Sequence, residues 1–351
     1  MKKSILILSF ILSAISCSKD DNSEMLQAEI VTNIYAVGYE SSLSGNLNIA
    51  KYWKNGESQE ITNGTFNASV SSIAISDNSD IYVTGSENSS TAYIAKCWKN
   101  GVPIILNEID HTFDSEATDI IVLGSDVYVS GNQKLDNDNN LAIYWKNGVR
   151  TILSNPTNNT YTTAITIEGN NKYIIGYEIN GAIRTPLIWI NDIPTVLTSG
   201  INNAYARDVA VIGTKIYITG SVNIAGSYYA IYWMKDSAVA NSTFVTKTLS
   251  AGDGNAKAIA HIGNDIYISG REDTSTKYWK IDGTTGSKTT TTLTNSGVES
   301  ITSGISAFGS DIYAVTFEDP IGTKYWKNGV QITTIPVLTK VIINAIVITS
   351  K

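Results

Sequence analysis

Histidine and cysteine are almost absent from this 351-residue chain, with two of each. Cys17 lies in an apolar leader and Cys97 deep in the chain, so no intramolecular disulfide framework is available. His111 and His261 are 150 residues apart and belong to no Ser-His-Asp order or metal-ligand spacing. Basic residues are outnumbered, 25 against 32 acidic, and nowhere form a cluster, which excludes nucleic acid and an anionic bilayer surface as charge-driven partners. Long hydrophobic runs are also missing. The one clear candidate, Ile5 to Leu12, is too short to hold a bilayer span. No amphipathic helical pattern follows it.

What stands at the N-terminus reads as a targeting segment: Lys2 and Lys3, the apolar run, then small residues up to Cys17. Ala14-Ile15-Ser16-Cys17 resembles a bacterial lipobox, which implies cleavage before Cys17 and acylation of that residue. The alternative is an ordinary secretory peptide that happens to contain a cysteine. Ser18-Lys19-Asp20-Asp21 is similar to the acidic export signal of surface lipoproteins of Bacteroidetes-type bacteria, which implies an outer-membrane protein facing the cell exterior. The expected organisation is a signal peptide over 1–16, a lipidated Cys17 with a flexible polar tether over 17–32, and one folded domain over 33–351. Losing Lys2 and Lys3 takes the net charge from -7 to about -9.

The folded part is organised by tryptophan. Trp53, Trp98, Trp145, Trp189, Trp233, Trp279 and Trp326 recur every 44 to 47 residues. Five follow a Tyr, and four open the string Trp-Lys-Asn-Gly. Such spacing marks one supersecondary unit copied seven times. Each copy reads as four short segments rich in Val, Ile, Tyr and Thr, separated by turn residues. In the third these are Thr118 to Leu123, Asp126 to Ser130, Leu141 to Lys146 and Val149 to Leu153, with turns at Gly124-Ser125 and Asn147-Gly148. The fold class expected is all-β, a seven-bladed β-propeller of four-stranded antiparallel blades. Ile34 to Gly38 matches a second strand and Asn344 to Thr349 a first strand, so pairing the two ends would complete one blade and leave no open edge.

A Trp just before a tight turn fits the wedge between blades better than a binding platform. Cys97 occupies the Tyr column and reads as a buried, inert thiol. Function is therefore sought where the copies differ. Loops between second and third strands and loops between blades vary, and strand direction puts both on one face. Four consecutive interblade loops carry an aromatic: Phe66, Phe113, Tyr161 and Tyr205. Set beside Asn and Asp, these suit a sugar or peptide, although each ring can equally plug its own loop. A polar column opens the innermost strands: Ser72, Thr118, Thr163, Arg207, Lys257, Ser303 and Asn344. It is expected to rim the central channel, with Asp119 and Asp208 beside it and Arg207 and Lys257 on adjacent blades suited to a carboxylate or sulfate, or merely solvated.

Asp136, Asp138 and Asn140 alternate like calcium ligands, but Leu141 and Asn147 stand where a calcium loop needs Gly and a bidentate acid, so this reads as a solvated acidic loop. From Ile34 to Lys351 the pattern of an Ile-Tyr strand ending in Gly, followed by Ala-x-Tyr-Trp-Lys-Asn-Gly, resembles extracellular bacterial propeller repeats, including the so-called HAF repeats. That resemblance implies fold alone. The function expected is a membrane-anchored surface lipoprotein that acts as a monomeric binding or scaffold module. Its partners would be the membrane, through Cys17, and a glycan, peptide or protein. A glycosidase or polysaccharide lyase using scattered carboxylates is the alternative, and an adhesive spacer a third reading.

Overall fold

The computed structural model describes residues 32–42, 47–104, 106, 112–198, 200–295, 297, 300–336, 338 and 341–350. The signal peptide, Cys17 and nearly all of the tether lie outside these residues, as does His111. Among the described residues there are 28 strands and no helix. They form seven four-stranded antiparallel sheets, the blades of a β-propeller. Blade 1 combines the C-terminal strand Val341–Ser350 with Thr32–Ser41, Asn48–Lys54 and Glu57–Glu60. Blades 2 to 7 follow in chain order, and their innermost strands are Ala68–Ile75, Ser115–Leu123, Asn159–Glu168, Ala204–Ile212, Gly254–Ile262 and Ser300–Phe308. Each innermost strand packs against those of the neighbouring blades, and Val341–Ser350 sits between blades 7 and 2.

The Tyr-Trp pair works because successive strand residues face opposite sides of a sheet. Trp145 of blade 3 lies in a cluster with Tyr82 and Cys97 of blade 2, while Tyr144 points the other way, toward Trp189 of blade 4. The same division recurs for Tyr232 with Trp279 and for Tyr325 with Trp53. One dipeptide thus fills two wedges. Cys97 is fully buried in the Tyr column, and burial pushes its thiol up to about 12, so it is an inert core side chain at neutral pH.

Glycine in the second strand admits the innermost strand's carbonyl and, in blades 3, 5 and 6, the indole as well. At Gly220 and Gly270 an added Cβ would lie 2.8 and 2.7 Å from Trp233 and Trp279 and would overlap a carbonyl of the innermost strand. Blade 7 carries Thr316 in this column. Its Oγ1 accepts a hydrogen bond from Trp326 Nε1 at 2.9 Å, and Trp326 is the one tryptophan left half-buried.

Lys-Asn-Gly completes the repeat at the opposite end of the blade. Asn100 takes φ near 51° in the turn, accepts from Ile81 N and donates to Asp80, while Lys99 pairs with Asp80 at 2.8 Å and lies over the Tyr82 ring. Asp126, Lys146 and Asn147 repeat the arrangement in blade 3, and Asp311, Lys327 and Asn328 in blade 7. These exposed pairs contribute little individually, but they fix the turn that ends the Trp strand in blades 2, 3 and 7.

Candidate functional site

The innermost strands surround a central cavity of about 640 Å³, lined from all seven blades. Its shape comes from a defect repeated seven times. Every innermost strand carries a one-residue bulge at the same height, and the extra residue is Asn344, Ser71, Thr118, Thr163, Arg207, Lys257 or Ser303. A bulge leaves that residue outside the ladder and re-aims it. Ser71 replaces Ser72 as the blade 2 member of the column. Ser72 belongs to the next layer, with Asp119 and Asp208. A bulge adds one residue on one strand only, so counting from the hydrophobic pattern placed blade 2 one position off.

Three of the seven residues in the bulged layer tie blades together. Asn344 Nδ2 donates to Val70 O, Thr163 Oγ1 donates to Ala206 O at 3.0 Å, and the hydroxyls of Thr118 and Thr162 lie 3.1 Å apart. Asp119 does the same from the next layer, accepting from Ile120 N at 2.8 Å and from Ile165 N of blade 4 at 2.9 Å. Asp208 accepts from Val209 N at 2.8 Å and from Ile259 N of blade 6 at 2.9 Å. Burial pushes both carboxyls up against the opposing effect of these N–H donors, and Asp208, which also senses the charge of Asp119, reaches about 7.

Arg207 and Lys257 are the two charged members of the column, and Ser303 of blade 7 is a further member whose buried hydroxyl has no hydrogen-bond partner among the described residues. Neither cation has an ion pair or a hydrogen-bond partner among those residues. Burial, then the neighbouring Arg207 charge, lowers Lys257 to about 8. Arg207 is held from outside the channel, its guanidinium 4.9 Å from the centre of the Tyr205 ring. Arg184, on the third strand of blade 4, also lies against Tyr205, at 5.2 Å. Three consecutive blades of an acidic protein therefore present cations that form no ion pair among the described residues.

Tyr161 and Tyr205 stand in strands, not in the interblade loops expected of them. Tyr177 joins them: it stacks on Tyr161 with centroids 5.1 Å apart and meets Tyr205 edge-on at 5.7 Å, and Tyr228 extends the row at 5.9 Å. The ring faces are therefore largely engaged by one another and by the two arginines, which makes the row a support for Arg207 more than an open stacking shelf. Phe66 and Phe113 remain in loops, Phe66 exposed and Phe113 half-buried, and neither has a ring contact with a described residue. Tyr177 and Arg184 were not foreseen. The available signal was an aromatic immediately after the second-strand Gly, but its partner is fixed only by strand register.

The Asp136 to Asn140 segment is shorter as a loop than the sequence implied, because strands extend through Lys134 and from Asn140. Asp138 pairs with Lys134 at 2.9 Å, Asn139 donates to the carbonyls of Pro156 and Thr157, and Asn140 donates to Tyr161 Oη at 2.6 Å. No group of three or more metal-ligating side chains occurs among the described residues.

No protein-family model matches the chain, and no curated protein matches it. Solved structures do. The chain is similar to a structure from a study of two prolyl endopeptidases, at 12% identity and a TM-score of 0.53, covering 89% of this chain and 50% of that one. It is also similar to a puromycin-hydrolysing peptidase of Mycobacterium tuberculosis, at 9% identity and a TM-score of 0.54, covering 88% of this chain and 51% of that one. The chain spans about half the length of these structures, and at such identities the likeness establishes the propeller fold.

Proposed function

We propose that the chain is a surface lipoprotein, anchored through Cys17 in the outer membrane, whose propeller is a binding module taking its ligand at the central channel. The observation that carries this reading is the contrast within the bulged layer. In blades 1, 3 and 4 the extra residue ties one blade to the next, in blades 2 and 7 it is a serine without such a tie, and in blades 5 and 6 it is a cation with no partner among the described residues. A cation that lines a channel without an ion-pair partner is available to an anionic ligand, and the half-buried Lys257 beside the exposed Arg207 gains most from one. The variable loops around the mouth then act as a rigidly mounted recognition rim. Binding of the full chain to a panel of glycans, peptides and surface proteins tests the reading. A ligand should be found whose affinity drops at least about tenfold in Arg207→Ala. Unchanged binding in a variant with a wild-type unfolding midpoint would remove the channel from consideration.

A second reading, a glycan-active enzyme, rests on Asp208, since a carboxyl at about 7 has the acidity of a general acid near neutral pH. Against it, both Asp208 oxygens accept backbone N–H groups, and using one as an acid would break a tie between blades 5 and 6. The peptidase activity named for the similar structures gives this chain no residue to test. Polysaccharide cleavage that disappears in Asp208→Asn would establish the enzyme reading.

A further inference from the structure

Resting on the channel as the ligand site, we infer that Arg207 and Lys257 form an anion subsite for the carboxylate or sulfate of an acidic glycan. Both side chains emerge from bulges at the same height on adjacent blades and line the same cavity. Arg207 is braced against Tyr205 at 4.9 Å, so its planar fork is oriented before any ligand arrives. Lys257 is half-buried in the channel wall and forms no ion pair among the described residues.

The rest of the cavity selects among anionic ligands. Ser71, Thr118, Asn132, Thr163, Ser303 and Asn344 give it hydroxyl and amide walls, a surface suited to a hydroxyl-rich sugar and short of the apolar pockets that anchor peptide side chains. The groups that face Lys257 with charge or titration are Arg207 and Asp208 from blade 5, and Glu116, Asp119, Tyr161 and Tyr177 across the channel. Asp208 and Asp119 each accept one backbone N–H from their own strand and one from the neighbouring blade, which partly offsets their charge. A glycan anion beside Lys257 would replace the solvation its ammonium lacks. It would also return Lys257 toward the ordinary lysine value, from about 8.

Calorimetric titration of the full chain at pH 8 and low salt tests this, using a galacturonate trimer, a sulfated galactose trimer and the neutral galactose trimer. One of the acidic trimers should bind at least about tenfold more tightly than the neutral one, as expected for charge-assisted hydrogen bonds. Repeating the titration in buffers of different ionisation enthalpy should reveal uptake of up to about half a proton, because Lys257 is about half protonated at that pH. Lys257→Met, which keeps the stem and removes the charge, should erase both the preference and the proton uptake while the neutral affinity stays. Equal affinity for acidic and neutral trimers would overturn the anion subsite yet leave the binding module standing. Failure of all three to bind, with a peptide bound at the same channel, would overturn the glycan assignment.

Discussion

Replacing Gly270 by Ala isolates the packing device on which each blade depends. The new Cβ would lie 2.7 Å from Cζ3 of Trp279 and 3.1 Å from Cα of Ala256, and it would overlap the carbonyl of Asn255. None of these atoms can step aside cheaply. Trp279 is fully buried, and the backbone atoms belong to the innermost strand beside the bulge at Lys257. Inserting one methyl into a well-packed core costs about 1 to 3 kcal/mol, and a clash with backbone places Gly270→Ala at the upper end, near 3 kcal/mol. The control lies in the same blade. Gly263 takes φ near 55° in a turn with no atom within 4 Å of its would-be Cβ. Alanine there meets only the left-handed penalty of about 1 to 2 kcal/mol, partly offset by a less flexible unfolded chain. Urea unfolding followed by tryptophan fluorescence gives both values, provided the slopes agree with wild type. A Gly270→Ala variant no less stable than Gly263→Ala would refute the claim that the second strand needs glycine where the innermost-strand carbonyl and the indole close on it.

Asp208→Asn should destabilise the chain by about 1 to 3 kcal/mol at pH 5, because an amide accepts through one oxygen and leaves a backbone N–H of Ile259 or Val209 unmatched. The deficit should narrow toward pH 8. With Asp208 raised to about 7, the native state holds a proton that the unfolded chain releases near 4, so wild-type stability declines as pH rises through that window. A gap that does not change with pH would contradict the buried-carboxyl account. Lys257→Met should remove a rise in stability between about pH 8 and 10.5, the interval in which the unfolded chain binds the proton the native state has lost; an unaltered pH profile in that range would contradict it. Cys17→Ala should release the protein from membranes, and continued membrane association on fractionation would overturn the lipoprotein proposal.

The blade number was readable because a buried indole and a tight turn must recur at the same place in every copy, and Trp-Lys-Asn-Gly carries both. Even the irregular copy has a local cause, since Thr316 in the glycine column accounts for the half-buried Trp326. The channel was less legible. Arg207, Asp208 and Lys257 are visible as polar residues that interrupt apolar strands, but a bulge shifts one strand by one residue and leaves no mark in a two-residue alternation. That is why Ser72 stood in for Ser71. The tyrosine row was beyond reach for a different reason. Tyr161, Tyr177, Tyr205 and Tyr228 meet across two blades and three kinds of strand, and only register and blade packing bring them together.

The central claim is that Arg207 and Lys257 take an anion: they form no ion pair among the described residues, in a channel where Asp119 and Asp208 are engaged by backbone N–H groups. The most direct measurement is the NMR pH titration of the Lys257 side chain in the full chain labelled with 13Cε-lysine, its signal assigned by its loss in Lys257→Met. The midpoint should lie near 8 in the free protein and move upward when a saturating acidic trimer is bound. A midpoint near the ordinary lysine value of about 10.4 in the free protein, unmoved by ligand, would contradict it.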